Sequence, residues 1–453
     1  PGARGGGAPA GPPLTAPPPP PRGGGGGGGG GGPLRLGRPA REGEPGGPEP
    51  CDEPAVAEAL ERVLITLGDL ARELDALAEQ LEQQEEVLDA VEGRLLDLRG
   101  SRSRLENIDR ALRFCLLPGT PDGSQLVRWV EARRSGVRHI ANLAFAAAPV
   151  ELGPTLATHL FGNTETAVLT SATLAANKDF GYLRGRLGLG GGTAPGGQPW
   201  LPSGPDRASP AAASLADPRA TDLRVAESVV DSPFDHSIQS LLAIPTDLPS
   251  ARIREAAAAH HQAVARVIDD VAGITGGGVF ALFTSHAALR AAAADLRDRG
   301  AEGRWPLFVQ GEGDRSALLR DFTRSGAAVL LGTASFWEGV DVPGRPLRAL
   351  VIQKLPFRVP SEPMTEARIE AMEARGENSF RGYMVPDAAM RLKQGVGRLI
   401  RTRTDRGAVV ILDDRLLTKR YGRDLLAALP PMPLEKGRWR ELRARVEEFY
   451  RLE

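Results

Sequence analysis

Between residues 279 and 412, short runs of β-branched and aliphatic residues alternate with helical stretches, and this alternation restricts the fold more than anything else in the 453-residue chain. Strands are expected at Val279–Phe283, Leu307–Gln310, Val329–Leu331, Ala349–Ile352 and Val409–Leu412, and helices at Ala287–Leu296, Arg315–Phe322 and Asp387–Ile400. Such alternation implies an α/β domain, a parallel sheet covered by helices. Ligand sites in open sheets of this kind gather outside the carboxyl ends of the strands. Thr284 and Ser285, which can cap the following helix, join Gly332 and Thr333 in lining that edge with hydroxyls and free amides. Helix N-termini there attract phosphate, so a nucleic-acid backbone fits the edge.

The densest chemistry lies in Gln394-Gly395-Val396-Gly397-Arg398-Leu399-Ile400-Arg401. Pro386 can open a helix, and Ala389, Leu392, Val396 and Leu399 repeat at apolar helical spacing, which leaves Gln394, Arg398 and Arg401 on the opposite face. Gly395 and Gly397 each cost a helix about 1 kcal/mol relative to alanine, so a ligand or neighbouring domain is expected to approach the backbone closely here. A planar, permanently charged guanidinium can grip two oxygens of a transferring γ-phosphoryl group, which makes this an arginine-finger pattern. The alternative is an arginine-rich solvated face. Net charge is only -1, yet residues 381–423 hold eleven Lys or Arg against four Asp, so the basic charge surrounds this stretch.

Two further segments flank the sheet. Residues 332–344 place Phe336 and Trp337 beside Glu338 and Asp341 among three glycines, including Gly339, which is more chemistry than a surface turn requires. The carboxylates can orient the arginines or a ribose. For Trp337 a place in the core is favoured over base stacking, and Phe336 can serve as a core anchor too. Upstream, Thr166–Leu169 reads as a short strand ending in Thr170-Ser171-Ala172-Thr173-Leu174. Hydroxyls at a strand end can relay between a bound phosphate and a neighbouring domain, although the same residues also suit a simple turn with a helix cap.

The rest of the chain bounds the folded part. Glycine and proline number 55 and 38, and residues 1–50, with glycine unbroken from Gly23 to Gly32, cannot repay the entropy of ordering and are expected to be disordered. The Gly/Pro/Ala/Ser-rich loop at 188–221 is expected to be a disordered insertion. From Leu60 to Leu98 a heptad repeat is broken only by Gln84, which predicts a helix of roughly 60 Å that needs a partner, either a second chain or a helix of its own. Cys51 and Cys115 are too few for a structural zinc or a four-thiolate cluster, and the six histidines show no metal spacing. No apolar run reaches transmembrane length and no signal-peptide pattern opens the chain, so a soluble cytoplasmic protein is expected. The chain begins at Pro1 rather than Met, which is expected of a fragment whose start lies upstream.

Taken in order, these segments resemble the DinG/XPD-type ATP-dependent DNA helicases of superfamily 2 from about Ala148 onward. Thr170–Leu174 is similar to the family's S-A-T motif, Val279–His286 to its fourth motif, Gly332–Gly344 to its fifth and Gln394–Arg401 to its sixth; Ser232-Pro233-Phe234-Asp235, Pro245-Thr246-Asp247-Leu248-Pro249 and Asp413-Asp414-Arg415 also resemble DinG. The resemblance implies two RecA-like motor domains that close on ATP and Mg2+ and move along single-stranded DNA, usually 5′ to 3′, in repair or replication. It casts Arg398 and Arg401 as the fingers, and Gln394, Gly397, Glu338, Gly339, Asp341, Ser171 and Thr173 as nucleotide-binding or coupling residues. Thr284, Ser285, Gly332 and Thr333 are cast as holding DNA phosphates. It divides the chain into a disordered 1–50, a helical arch-like 51–147 that makes an intramolecular hairpin the better expectation for the heptads, the end of a first motor domain at 148–187, the loop 188–221 and a second RecA-like domain at 222–453. The sequence departs from the family in having no Gly-x-x-x-x-Gly-Lys-Ser/Thr and no Asp-Glu-x-His, and no iron-sulfur cluster is expected in this chain. Most of the ATP and magnesium contacts are therefore expected from an absent N-terminal motor domain, the chain's own partner, and the chain alone is expected to be inactive. Two other classes stay open: a non-catalytic single-stranded nucleic-acid-binding module, and a coiled-coil interaction protein.

Overall fold

The computed structural model describes residues 33–37, 53–83, 88–117, 125–134, 141–171, 173–174, 179–189, 225–249, 256–333, 336 and 346–451. The glycine-rich start and the 188–221 insertion fall almost wholly outside these residues, as do Trp337, Glu338, Gly339 and Asp341.

Three strands form an antiparallel sheet, β1 (Leu34–Leu36), β2 (Leu126–Arg134) and β3 (Ala141–Pro149), in the order β1-β2-β3. Seven more, β4 (Ser240–Pro245), β5 (Val279–Phe283), β6 (Leu307–Val309), β7 (Val329–Thr333), β8 (Ala349–Ile352), β9 (Gly407–Ile411) and β10 (Leu434–Gly437), form a second sheet in the order β10-β4-β9-β8-β5-β7-β6. Every pairing in it is parallel. The expected helix-covered parallel sheet is thus present, with all five expected strands in place and small shifts at their ends.

Both faces of this sheet are buried, which is why its central strands are continuous apolar runs rather than alternating ones. Side chains of one parity, including Ala281, Leu331, Val351 and Val410, pack under the helices Ala257–Thr275, His286–Asp298 and Trp439–Arg451. Those of the other parity, including Phe280, Leu330, Leu350 and Val409, pack under Arg315–Ser325, Val385–Val396 and the short helices between 415 and 427. The edge strand β10 reads Leu-Glu-Lys-Gly and has no apolar run to betray it in sequence.

Three expectations are corrected. The heptad repeat does not form one 60 Å rod: α1 (Pro54–Glu82) and α2 (Leu88–Leu116) fold back as an antiparallel hairpin, so the partner of the first half is the second half. Leu60 and Leu64 near the start of α1 pack with Leu112 and Leu116 near the end of α2, Arg102 pairs with Asp75 at 2.9 Å, and Arg99 pairs with Glu82. The buried seam uses Leu60, Leu64 and Ala78, while Val56, Val63, Leu70 and Leu77 stay exposed. Leu34–Leu36, inside the stretch expected to be disordered, is a strand. Its Arg35 bridges Glu366 at 3.2 Å and Glu370 at 2.8 Å on the helix Pro363–Ala374. Finally, Thr166–Leu169 is not a strand among the described residues: Val168 is 85% exposed, and no neighbouring strand supplies the hydrogen bonds a four-residue run needs.

One buried polar contact makes the domain pH-sensitive. His260, on the helix Ala257–Thr275, lies 2.8 Å through Nδ1 from the Pro249 carbonyl, so Nδ1 carries the proton, and Nε2 accepts from the Gln353 amide at 3.1 Å. Burial holds the ring below its ordinary 6.5; the Pro249 carbonyl and Asp413 oppose this, and Lys354 and His261 add to it. The unfolded chain therefore takes up a proton near 6.5 that the folded one refuses, so stability present above that pH is lost as pH falls towards the depressed value. Denaturant midpoints measured from about pH 7.5 down to about 5.5 should decline, and His260→Gln should flatten that decline.

Candidate functional site

The helix carrying the arginine pattern spans Val385–Val396 and follows a π-helical turn at Phe380–Met384. Ala388, Ala389, Leu392, Gly395 and Val396 form its buried face. It does not continue to Ile400 as expected. Beyond Val396 the backbone tightens: the Gly397 amide donates to the Lys393 carbonyl at 2.8 Å, and the Arg398 and Leu399 amides donate back to Gly395 and Val396 at 3.3 and 3.1 Å. Two glycines within three residues weaken the last turn. Leu399 and Ile400, both 3% exposed, then turn back into the core. Gly407 makes room for this return, since a Cβ there would lie 2.4 Å from Leu399 Cγ. At Gly397, by contrast, the nearest atom to such a Cβ is the Lys393 carbonyl oxygen of the same helix. The close approach expected at Gly397 is therefore not what its surroundings show.

Arg398 and Arg401 consequently project from a turn rather than from the helical face of Gln394. Both are half-buried, and Arg398 lines a small gap with Phe280, Leu282 and Leu350. The turn is fixed by residues that sequence reasoning missed. Asp405 accepts from the Arg401 and Thr402 amides at 2.8 and 2.9 Å and from the Thr402 hydroxyl at 2.7 Å. Gln239, next to β4, donates to the carbonyls of Thr402 and Asp405 at 3.0 and 2.9 Å. The Thr-Arg-Thr-Asp run was the available signal for Asp405, because short polar side chains bond nearby amides in turns; nothing local marks Gln239.

Gln394 remains on the helix, half-buried, and its amide donates to Thr173 Oγ1 at 3.3 Å. Thr173 in turn faces Ser171, with their hydroxyls 3.1 Å apart and the Thr173 amide donating to Ser171 Oγ at 3.2 Å. Two segments singled out separately in the sequence are thus joined by one hydrogen bond across 221 positions.

At the sheet edge, β5 and β7 are neighbours, and Phe283 stands opposite Thr333. Thr284 and Ser285 follow β5 directly and are exposed, and Ser285 caps the next helix through the Ala288 amide at 3.2 Å, as expected. Thr333 differs from expectation. It is 8% exposed, and both its amide and its hydroxyl donate to Gln310 Oε1, at 2.6 and 2.9 Å, so neither is free. Gly332 serves packing: a Cβ there would lie 2.9 Å from Phe336 Cβ and 3.1 Å from the Phe280 ring. Phe336 is 1% exposed, a core anchor. Further along the edge, burial alone would raise the Asp413 carboxyl, but Arg415 and the Leu355 amide hold it below the usual carboxylate range.

Arg398 and Arg401 are thus half-buried on a turn that directly follows the helix carrying Gln394. No group of acidic, histidine or cysteine side chains suited to a metal occurs among the described residues, and no described helix is long and apolar enough to cross a membrane. Asp405→Ala removes three bonds from the turn holding Arg401 and leaves two backbone amides without their acceptor; chemical denaturation should show a loss of about 1–3 kcal/mol.

Residues 268–432 match the helicase C-terminal domain family. Among curated relatives, the ATP-dependent DNA helicase YoaA of Escherichia coli is 37% identical over 59% of this chain and 36% of its own length. The ATP-dependent helicase DinG of Mycobacterium tuberculosis is 36% identical over 69% and 41%, and the 3'-5' exonuclease DinG of Bacillus subtilis is 32% identical over 70% and 31%. An apo XPD structure aligns with TM-score 0.36 at 15% identity over 44% of this chain and 40% of that one. The chain spans well under half the length of these relatives. The chain thus carries a helicase C-terminal domain and is similar, over part of their length, to the DinG and YoaA helicases.

Proposed function

We propose that this chain is the C-terminal portion of an ATP-dependent DNA helicase that couples ATP hydrolysis to movement along single-stranded DNA and to duplex unwinding, in the 5′ to 3′ direction, in repair or replication. Residues 222–453 act as the second RecA-like motor domain, 148–187 as the end of the first and 51–147 as the arch. The observation that carries this is the Gln394–Thr173 hydrogen bond, because it ties the arginine-bearing helix to the segment that follows β3. A motor needs such a link between phosphate-contacting side chains and a second domain.

In this reading, Arg398 and Arg401 neutralise charge on the γ-phosphate, and Gln394 reports its presence to Thr173. Bound ATP supplies the transferable phosphoryl group. The residues here orient it and stabilise developing charge, while Mg2+ and the attacking water are held by upstream residues this sequence does not contain. Glu338, Gly339 and Asp341 lie close in sequence to β7 and couple the nucleotide to DNA. Thr284 and Ser285, exposed just past β5, line the path along which the strand runs, while Gly332 and Thr333 support that edge from within. The run of eleven cations against four aspartates at 381–423 also suits the second reading, a non-catalytic module that grips single strands by their phosphates.

The two are separated by joining the chain in frame to the upstream part of a matched relative and measuring DNA-stimulated ATP hydrolysis. The helicase reading predicts turnover that Arg398→Ala lowers about a thousandfold, on the scale of an arginine finger. DNA binding without turnover in the joined protein favours the binding module, and turnover untouched by Arg398→Ala contradicts the role given to that arginine. The 453-residue chain by itself should bind single-stranded DNA and hydrolyse no ATP.

A further inference from the structure

Where the segment after β3 meets the sheet domain, charged side chains collect in a cluster that the Arg398–Arg401 turn does not use. Tyr182 and Arg186 lie one turn apart on the helix Gly181–Leu187. Arg358 follows β8, Arg368 lies on Pro363–Ala374, Tyr383 in the π-helical turn, and Asp387 and Arg391 one turn apart on Val385–Val396. The Arg186 guanidinium stands 5.9 Å from the ring centroids of both Tyr182 and Tyr383, and that of Arg368 stands 5.1 Å from Tyr383. Asp387 accepts from Arg358 at 3.0 Å and from Arg391 at 2.8 Å.

Charge does not balance here. Among Arg186, Arg358 and Arg368, only Arg358 reaches a carboxylate of the described residues, and it shares that carboxylate with Arg391. Arg368, 7% exposed, is satisfied by the Val150 carbonyl at 2.8 Å and the Tyr383 hydroxyl at 3.5 Å, both neutral. The Nε atoms of Arg358 and Arg368 are buried with no acceptor. Burial pushes the Tyr182 phenol up to about 12, so it keeps its proton and can donate. A desolvated cation requires a counter-charge, and a fork of guanidinium N–H groups with phenolic donors matches the oxygens of a tetrahedral oxyanion. The cluster reaches the surface at Arg358 and Arg391, whose side chains are 28% and 20% exposed.

We propose that Arg186, Arg358, Arg368 and the hydroxyls of Tyr182 and Tyr383 form a phosphate-group site separate from Arg398 and Arg401. Its ligand is a free phosphate-bearing small molecule or a phosphodiester of a bound strand. Filling it would bridge the 181–187 helix to the arginine-bearing helix.

The test is thermal unfolding of the 453-residue chain in inorganic phosphate against chloride at equal ionic strength, and separately with an oligothymidylate. Protection by phosphate that is lost in Arg186→Gln/Arg358→Gln but kept in Arg398→Gln/Arg401→Gln supports the site with a free ligand. Protection by the oligonucleotide alone, lost in the same variant, supports it with a strand as the source. Each removed guanidinium should weaken the apparent Kd about tenfold. Arg358→Lys keeps the charge without the fork and should fall between, which decides the matter if the double variant fails to fold by circular dichroism. No protection from either ligand, or equal protection of wild type and variants, overturns the proposal.

Discussion

Everything at the candidate site depends on where one helix stops. Had Val385–Val396 continued, Arg398 and Arg401 would share the helical face of Gln394, opposite the buried side chains. Instead the chain tightens at Gly397, and burying two large aliphatic side chains, each contributing about 1.5–3 kcal/mol, holds the turn against the core. Arg398 and Arg401 are positioned by hydrophobic anchoring between them, with Asp405 and Gln239 satisfying the backbone that the ended helix leaves open. In the role proposed for them, cationic groups held this way would need little reorganisation to meet a phosphate, the condition for electrostatic stabilisation of transferred charge.

The sheet domain was legible in the sequence because both of its faces are buried, so β5, β7, β8 and β9 announce themselves as apolar runs between helices. Strands without that signal were missed, β10 because it is a polar edge and β1 because three residues in a glycine-rich stretch carry no periodicity. The four-residue run at Thr166 was over-read for the opposite reason: its composition suits a strand, but a strand also needs neighbours. The heptads were read correctly as helix. Periodicity, however, cannot see a reversal of direction, and two helices in register with one repeat look like one.

The site was legible in parts. Gln394, Thr173 and Ser171 were each singled out by residue type, and the fold brings them together; their partnership lay beyond sequence reasoning because it depends on how a segment after β3 docks on a helix more than two hundred residues later. Thr333 and Gly332 show the reverse, since polar or small residues at a strand end look like ligand contacts but are taken up by Gln310 and Phe336. Hydroxyls that have left the strand, at Thr284 and Ser285, remain exposed. Position relative to the end of the strand, rather than residue type, separates the two pairs.

The central claim is that Gln394 and Thr173 form a real energetic link between the arginine-bearing helix and the segment after β3. A double-mutant cycle of Gln394→Ala and Thr173→Val, read by denaturant unfolding, measures that link directly. The account predicts a coupling energy of about 0.5–1.5 kcal/mol, and strictly additive single substitutions would contradict it.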